Sequence, residues 1–182
     1  KGYGDIMDKS ILAVNKDSLE RVLVKNPMIK SAQVYYSLDG YIHVNIQQRE
    51  PVLRVLTGEG YYVDRDGRVM PLSSKFTSRV VVATGDINKK FACEKLGPFA
   101  MKLKNEPFWD AYFEQLVVRS NEDVVMIPKV GDFRIVLGKV DDCDARLEKL
   151  ILFLKDGITK KGWNRYKEIN LKFDNQVVCV RK

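Results

Sequence analysis

Apolar positions change period several times along the chain, and each change marks an element. Leu19, Val22 and Leu23 recur at i, i+3 and i+4, the stripe of one helical face, with Asn15 as its candidate N-cap. Asn26-Pro27 ends that helix, because the residue before a proline is pushed out of the helical region. The period then falls to two. Val34, Tyr36 and Leu38 alternate with polar or small residues, and Asp39-Gly40 signals a hairpin with a type I′ turn, positive φ at both central residues. The return strand sets Ile42, Val44 and Ile46 on one face and His43, Asn45 and Gln47 on the other. Pro51 cannot donate to a ladder, so a strand reaching Arg49-Glu50-Pro51 must end, bulge or run along an edge. The domain boundary is placed here, giving residues 1–52 and 53–182.

The second region alternates strands with helices. A hairpin joins Tyr61-Tyr62-Val63 to Arg68-Val69-Met70 through Asp64-Arg65-Asp66-Gly67. The Asp-x-Asp-Gly string has the start of a calcium loop, but Arg68-Val69-Met70-Pro71 follows where an EF-hand needs further oxygen ligands. Arg79 to Thr84 is a short β-rich run. Residues 90–113 read as helical, with Leu96, Phe99, Ala100 and Leu103 on one face and Pro107 opening a shorter second piece. Leu116 to Arg119, Val124 to Ile127 and Phe133 to Leu137 are strands, the last two joined at Gly131-Asp132. Asp141-Asp142 begins a helix whose stripe is Leu147, Leu150, Ile151, Leu154 and Ile158, with Asp141, Asp142 and Asp144 favouring the positive end of its dipole.

Two strands close the chain. Glu168 to Phe173 places Ile169, Leu171 and Phe173 on one face, Asp174-Asn175 turns, and Gln176 to Arg181 returns. Val177-Val178-Cys179-Val180 is apolar on both faces, which predicts burial on one and contact with something on the other. A last strand is often an edge strand, and an open edge is a row of unpaired donors and acceptors.

Composition narrows the function. The 182 residues are 45% apolar and 30% charged, a globular balance. No apolar run approaches the ~20 residues of a membrane helix. There is no signal peptide, and a start at Lys1 rather than Met predicts a fragment of a longer precursor. Cys93, Cys143 and Cys179 are far apart and His43 is the one histidine, so neither a zinc site nor a disulfide framework is expected. His43, on a polar strand face without a nucleophile nearby in sequence, reads as a surface residue. The sequence carries no nucleophile elbow, Walker loop or His-Glu pairing. The expectation is therefore a protein that is not an enzyme, with no cofactor and no metal. The net charge is +7. Residues 1–52 carry 7 basic and 6 acidic groups, residues 53–182 carry 24 and 18, and residues 155–182 alone carry 8 and 3. The excess lies at the C-terminus without a basic helix or an aromatic platform, so an acidic protein partner is expected rather than nucleic acid.

The ordered motifs resemble one family. Pro27, Ile29, Ala32 and Val34 lead through Asp39-Gly40 to Gln48-Arg49-Glu50-Pro51, as in the POTRA domain of the bacterial cell-division protein family FtsQ (DivIB). Tyr61, Val63, Asp64, Gly67 and Val69 match the family's next hairpin. Leu137-Gly138, Arg146-Leu147 and Asn170-Leu171-Lys172-Phe173-Asp174-Asn175-Gln176 resemble its C-terminal landmarks, although Lys172-Phe173 replaces Arg-Tyr and Gln176 replaces the turn glycine. The resemblance implies an α+β fold: a POTRA unit of one helix and a hairpin, its opening elements cut away, then a larger, mainly antiparallel sheet domain with packed helices. It implies the periplasmic part of a single-pass inner-membrane protein whose anchoring helix lies outside this sequence. It further implies a divisome scaffold for septation that recruits FtsB/FtsL-like partners by strand addition at its C-terminal edge, with other divisome proteins contacted through the POTRA unit. The contact residues expected on this basis are Leu171, Lys172, Phe173, Asn175, Gln176, Val177, Val178 and Val180. The alternative is a POTRA-bearing protein-transport or outer-membrane assembly module, which would show repeated units or a barrel.

Overall fold

The computed structural model describes residues 15–73, 77–158 and 165–182. The chain divides into two compact units between Glu50 and Pro51, so Pro51 and Val52 lie in the second unit as the start of its first strand.

In the first unit α1 (Lys16–Val24) is capped by Asn15, whose Oδ1 accepts the Ser18 N–H at 3.0 Å. β1 (Ile29–Tyr36) and β2 (Ile42–Gln48) pair antiparallel, with Val34 opposite Val44 and Ala32 opposite Ile46. The core is small: Leu23, Ile29, Ala32 and Val34, with Leu19 and Ile42 partly buried against them. Val22, Val44 and Ile46 were expected on the buried faces, yet all three are exposed among the described residues. Among the described residues one short helix, α1, packs on β1, and its narrow stripe does not extend to Val22 or the middle of β2. His43 lies on the surface, stacked on Tyr35 with ring centroids 5.0 Å apart.

The hairpin turn corrects the expected type. The Gly40 N–H donates to Ser37 O at 3.1 Å and the Ser37 N–H to Tyr41 O at 2.9 Å, so Leu38 and Asp39 are the central residues. Neither has positive φ; Gly40 does, at 87°. This is a three-residue loop, a type I turn closed by a left-handed glycine, in place of a two-residue type I′ turn. The turn at Asp64 repeats the device with Gly67 at φ 73°. There the Asp64 Oδ1 accepts the Asp66 N–H at 2.9 Å and the Arg68 N–H at 2.7 Å, so this buried carboxylate serves the turn. Among the described residues no cluster of three or more His, Cys, Asp or Glu could hold a metal ion.

Among the described residues the second unit forms one nine-stranded sheet. Its strands are β3 (Pro51–Val55), β4 (Tyr61–Asp64), β5 (Val69–Pro71), β6 (Val81–Gly85), β7 (Phe113–Arg119), β8 (Asp123–Pro128), β9 (Arg134–Gly138), β10 (Tyr166–Asn170) and β11 (Val178–Arg181). Their spatial order is β11-β10-β9-β8-β7-β6-β3-β4-β5. Most neighbours are antiparallel; β3/β6, β6/β7 and β9/β10 are parallel. Two of those parallel pairs are joined through helices, as a parallel crossover requires. Between β6 and β7 run α2 (Lys89–Phe91), a π-helical turn (Ala92–Leu96), α3 (Gly97–Asn105) and α4 (Pro107–Tyr112). Leu96, Phe99, Ala100 and Leu103 are buried, as their spacing predicts. Phe113 opens β7 rather than ending the helical stretch.

Between β9 and β10 runs α5 (Asp144–Leu152), continued by a π-helical stretch at Phe153–Ile158. Leu147, Leu150 and Leu154 face the core, while the side chain of Ile158 lies outside the described residues. Asp141 and Asp142 precede this helix, whose N-cap is Cys143, so only Asp144 sits in its first turn. Asp141 and Asp144 instead form ion pairs with Lys95 and Lys102, carried on the helical stretch between β6 and β7. Val55, Ala83, Leu116, Met126, Ile135 and Ile169 line up across the sheet in one continuous core. Burying each of these side chains stabilises the fold by about 1.5–3 kcal/mol, and Ala83 by less. Among the described residues no helix is long and apolar enough to cross a membrane.

Candidate functional site

The expected contact residues belong to one end of the nine-stranded sheet. β10 is held on one side by β9, with Glu168 beside Arg134 and Asn170 beside Val136. On its other side it pairs with β11, Asn170 opposite Val178 and Glu168 opposite Val180. Beyond β11 the described residues place no strand. One flank of β11 therefore presents backbone N–H and C=O groups without a ladder.

Side-chain alternation divides the strand. Cys179 is half-buried and packs against the core, together with Val177 just before the strand. Burial pushes the Cys179 thiol pKa up, which keeps it a neutral small hydrophobe. Val178 and Val180 stand on the opposite face, 38% and 47% exposed. Register puts them beside Asn170 and Glu168 and, one strand further, Arg134 and Val136. Arg134 Nε donates to Glu168 Oε2 at 2.8 Å on that face. Two exposed valines on a sheet edge are an apolar strip that water does not favour.

The connection 171–177 feeds this edge. Leu171 is fully buried and its N–H donates to Val136 O at 2.9 Å. It is a core residue that supports the edge from beneath, not one a partner reaches. Phe173, read on one face with Ile169 and Leu171, does not share their burial: it is 47% exposed, because β10 ends at Asn170 and the alternation stops there. Lys172 lies with its stem against Gly138, where a Cβ would come within 3.0 Å of Lys172 Cγ, and its Nζ donates to Asp123 Oδ1 at 2.9 Å. Asn175 takes φ 57° in the turn, a conformation asparagine tolerates better than most residues, and Gln176 beside it is exposed.

The positive charge is partly spent inside the molecule. Lys172 pairs with Asp123 and Lys182 with Asp132 at 2.8 Å. The Lys182 ammonium holds the Asp132 carboxyl below its ordinary pKa. Lys167 and Arg181 remain exposed alongside β11. Sequence reasoning missed Lys149: its Nζ donates to Leu171 O at 3.1 Å and to Phe173 O at 2.5 Å. No spacing rule connects positions so far apart.

Among the described residues this edge offers backbone to pair with, apolar side chains to cover, and cations beside them. Family comparison agrees with the fold: residues 50–180 match the model described as FtsQ/DivIB, C-terminal related, and residues 2–47 match a POTRA-like domain. No curated protein matches the chain. The chain belongs to the FtsQ/DivIB family, a family of membrane-anchored, non-enzymatic cell-division scaffolds with periplasmic domains. Its helix-and-hairpin first unit and its mostly antiparallel sheet are the α+β arrangement expected of that family.

Proposed function

We propose that this protein is a periplasmic divisome scaffold that recruits FtsB/FtsL-like partners by adding one of their strands to β11. The observation that carries the reading is the position of β11 at the end of the sheet order, with Val178 and Val180 exposed and Cys179 turned to the core. Backbone pairing supplies affinity in such a mode, and the side chains on the two faces of the added strand supply selectivity. Lys167 and Arg181 favour a partner segment that carries acidic residues and speed its encounter. Phe173, at the head of the turn, offers an aromatic anchor of the kind that dominates interface energetics.

The test is direct binding of the 182-residue chain to a purified FtsB-like partner, with Val178→Glu and Phe173→Ala as variants. Both positions are exposed, so each variant keeps the parent's circular dichroism and melting curve. Each is expected to weaken binding about tenfold or more, the effect of about 1.4 kcal/mol or more at an interface hot spot. Parent-like affinity in both variants rules out this edge as the docking place.

A further inference from the structure

We infer that Lys149 is a positioning residue for the docking edge: its ammonium fixes the chain on both sides of Lys172, and so sets where β11 begins. This rests on the docking role proposed above for β11. α5 turns Leu147, Leu150 and Leu154 into the core, and Lys149 lies half-buried beside that stripe. Instead of reaching for water, Lys149 Nζ donates to Leu171 O at 3.1 Å and to Phe173 O at 2.5 Å. Both bonds are charge-assisted, stronger and more directional than neutral ones.

The location gives the contact its consequence. At Leu171 the chain is still bound to β9 through the Leu171 N–H. At Lys172 it leaves the sheet, with its N–H turned back to Asn170 Oδ1 at 3.0 Å. Seven residues, 171–177, separate β10 from β11. Lys149 fastens the first and third of them to a helix that is itself anchored in the core. With Val177 packed against the core, the stretch between these anchors shrinks to residues 174–176. β11 has four residues and, among the described residues, one neighbouring strand, so its position depends on how firmly that connection is held. A partner strand that meets an edge already in place loses less conformational entropy on binding. Lys149 acts on recognition through the turn, without a contact to the partner.

The experiment compares the parent chain with Lys149→Met, which keeps the apolar stem and removes the donors, and Lys149→Arg, which keeps a charged donor. Two readouts are taken: affinity for the partner used above, and amide exchange of the free protein at Val178–Arg181 relative to β8. Lys149→Met is expected to bind about tenfold more weakly, with faster exchange confined to β11 while β8 stays protected. Lys149→Arg is expected to restore affinity to within about threefold of the parent. Parent-like binding by Lys149→Met overturns the inference. So does weaker binding with unchanged exchange at β11, which makes Lys149 a direct partner contact. If the parent itself does not bind, the docking reading fails, and the exchange of β11 still decides whether Lys149 holds the edge.

Discussion

Among the described residues β1 of the first unit and β11 of the second each lie at the end of a sheet, and their outer flanks are treated in opposite ways. In the first unit the Val34 N–H points away from β2, and Glu20 of α1 reaches across to accept it at 2.7 Å. The middle of the β1 edge is thereby capped by a side chain of its own unit. In the second unit β11 has no such cap: its neighbours in the described sheet lie all on one side, and its exposed face carries valines. The far end of the same sheet is guarded again, because β5 is three residues long and ends in Pro71. Short strands, prolines and inward charges are the usual means of closing an edge. β11 is short as well and ends in Arg181, but among the described residues no side chain caps its outer backbone in the way Glu20 caps β1, and the proposed docking rests on that flank.

The largest expected effect tests whether the open edge depends on the core below it. Leu116→Ala empties a fully buried site in the centre of the sheet and should cost about 2–5 kcal/mol in urea unfolding. Partner binding should fall in step with the folded fraction; binding retained in the unfolded ensemble breaks the link between sheet and edge. Next comes the capped edge. Glu20→Ala should destabilise the first unit by about 1–2 kcal/mol, because a part-buried N–H loses a charged acceptor. It should also cause concentration-dependent self-association in sedimentation, as a newly open edge seeks a strand. A variant that stays as monodisperse as the parent would mean that Glu20 is not what closes β1.

A smaller effect separates stability from edge availability. Asn121 and Glu122 both have φ of 60° in the turn from β7 to β8. Glycine bears that conformation without strain, so Glu122→Gly should stabilise by about 0.5–1 kcal/mol and leave partner affinity unchanged. An affinity that changes with it would tie recognition to global stability instead of to β11. The smallest effect belongs to Asp132 and Lys182. Asp132 has a lowered folded pKa, so its contribution is present above the unfolded value and disappears as pH falls through the carboxylate range. The pair is exposed and contributes little. Asp132→Asn should melt with the parent at neutral pH and lose slightly less stability on acidification; a large gap at neutral pH contradicts this.

Much of the fold is legible in short stretches of sequence. The Asn15 cap, the helix opened by Pro107, the two aspartate-glycine hairpins and the Leu147-Leu150-Leu154 stripe each rest on neighbours a few residues apart. The FtsQ/DivIB family was legible for the same reason, since its motifs are local and ordered. The misreadings have a different origin. Placing Phe173 on one face with Ile169 and Leu171 assumed that alternation continues past Asn170, and placing Asp141 and Asp142 in the helix assumed that acids mark its first turn. β10 instead ends at Asn170, and the helix starts only at Asp144, after its Cys143 N-cap.

The site divides the same way. Local sequence determined that the tail is a strand with apolar residues on both faces, because β-branched residues at a period of two suffice for that. It did not determine which flank stays open. That was decided when β10 paired with β9, Glu168 beside Arg134, and left β11 outermost. Nor did it determine that Glu20 would cap Val34 or that Lys149 would hold Leu171 and Phe173. A backbone group takes whatever partner the fold brings within hydrogen-bonding distance, and only the closed tertiary structure fixes those distances.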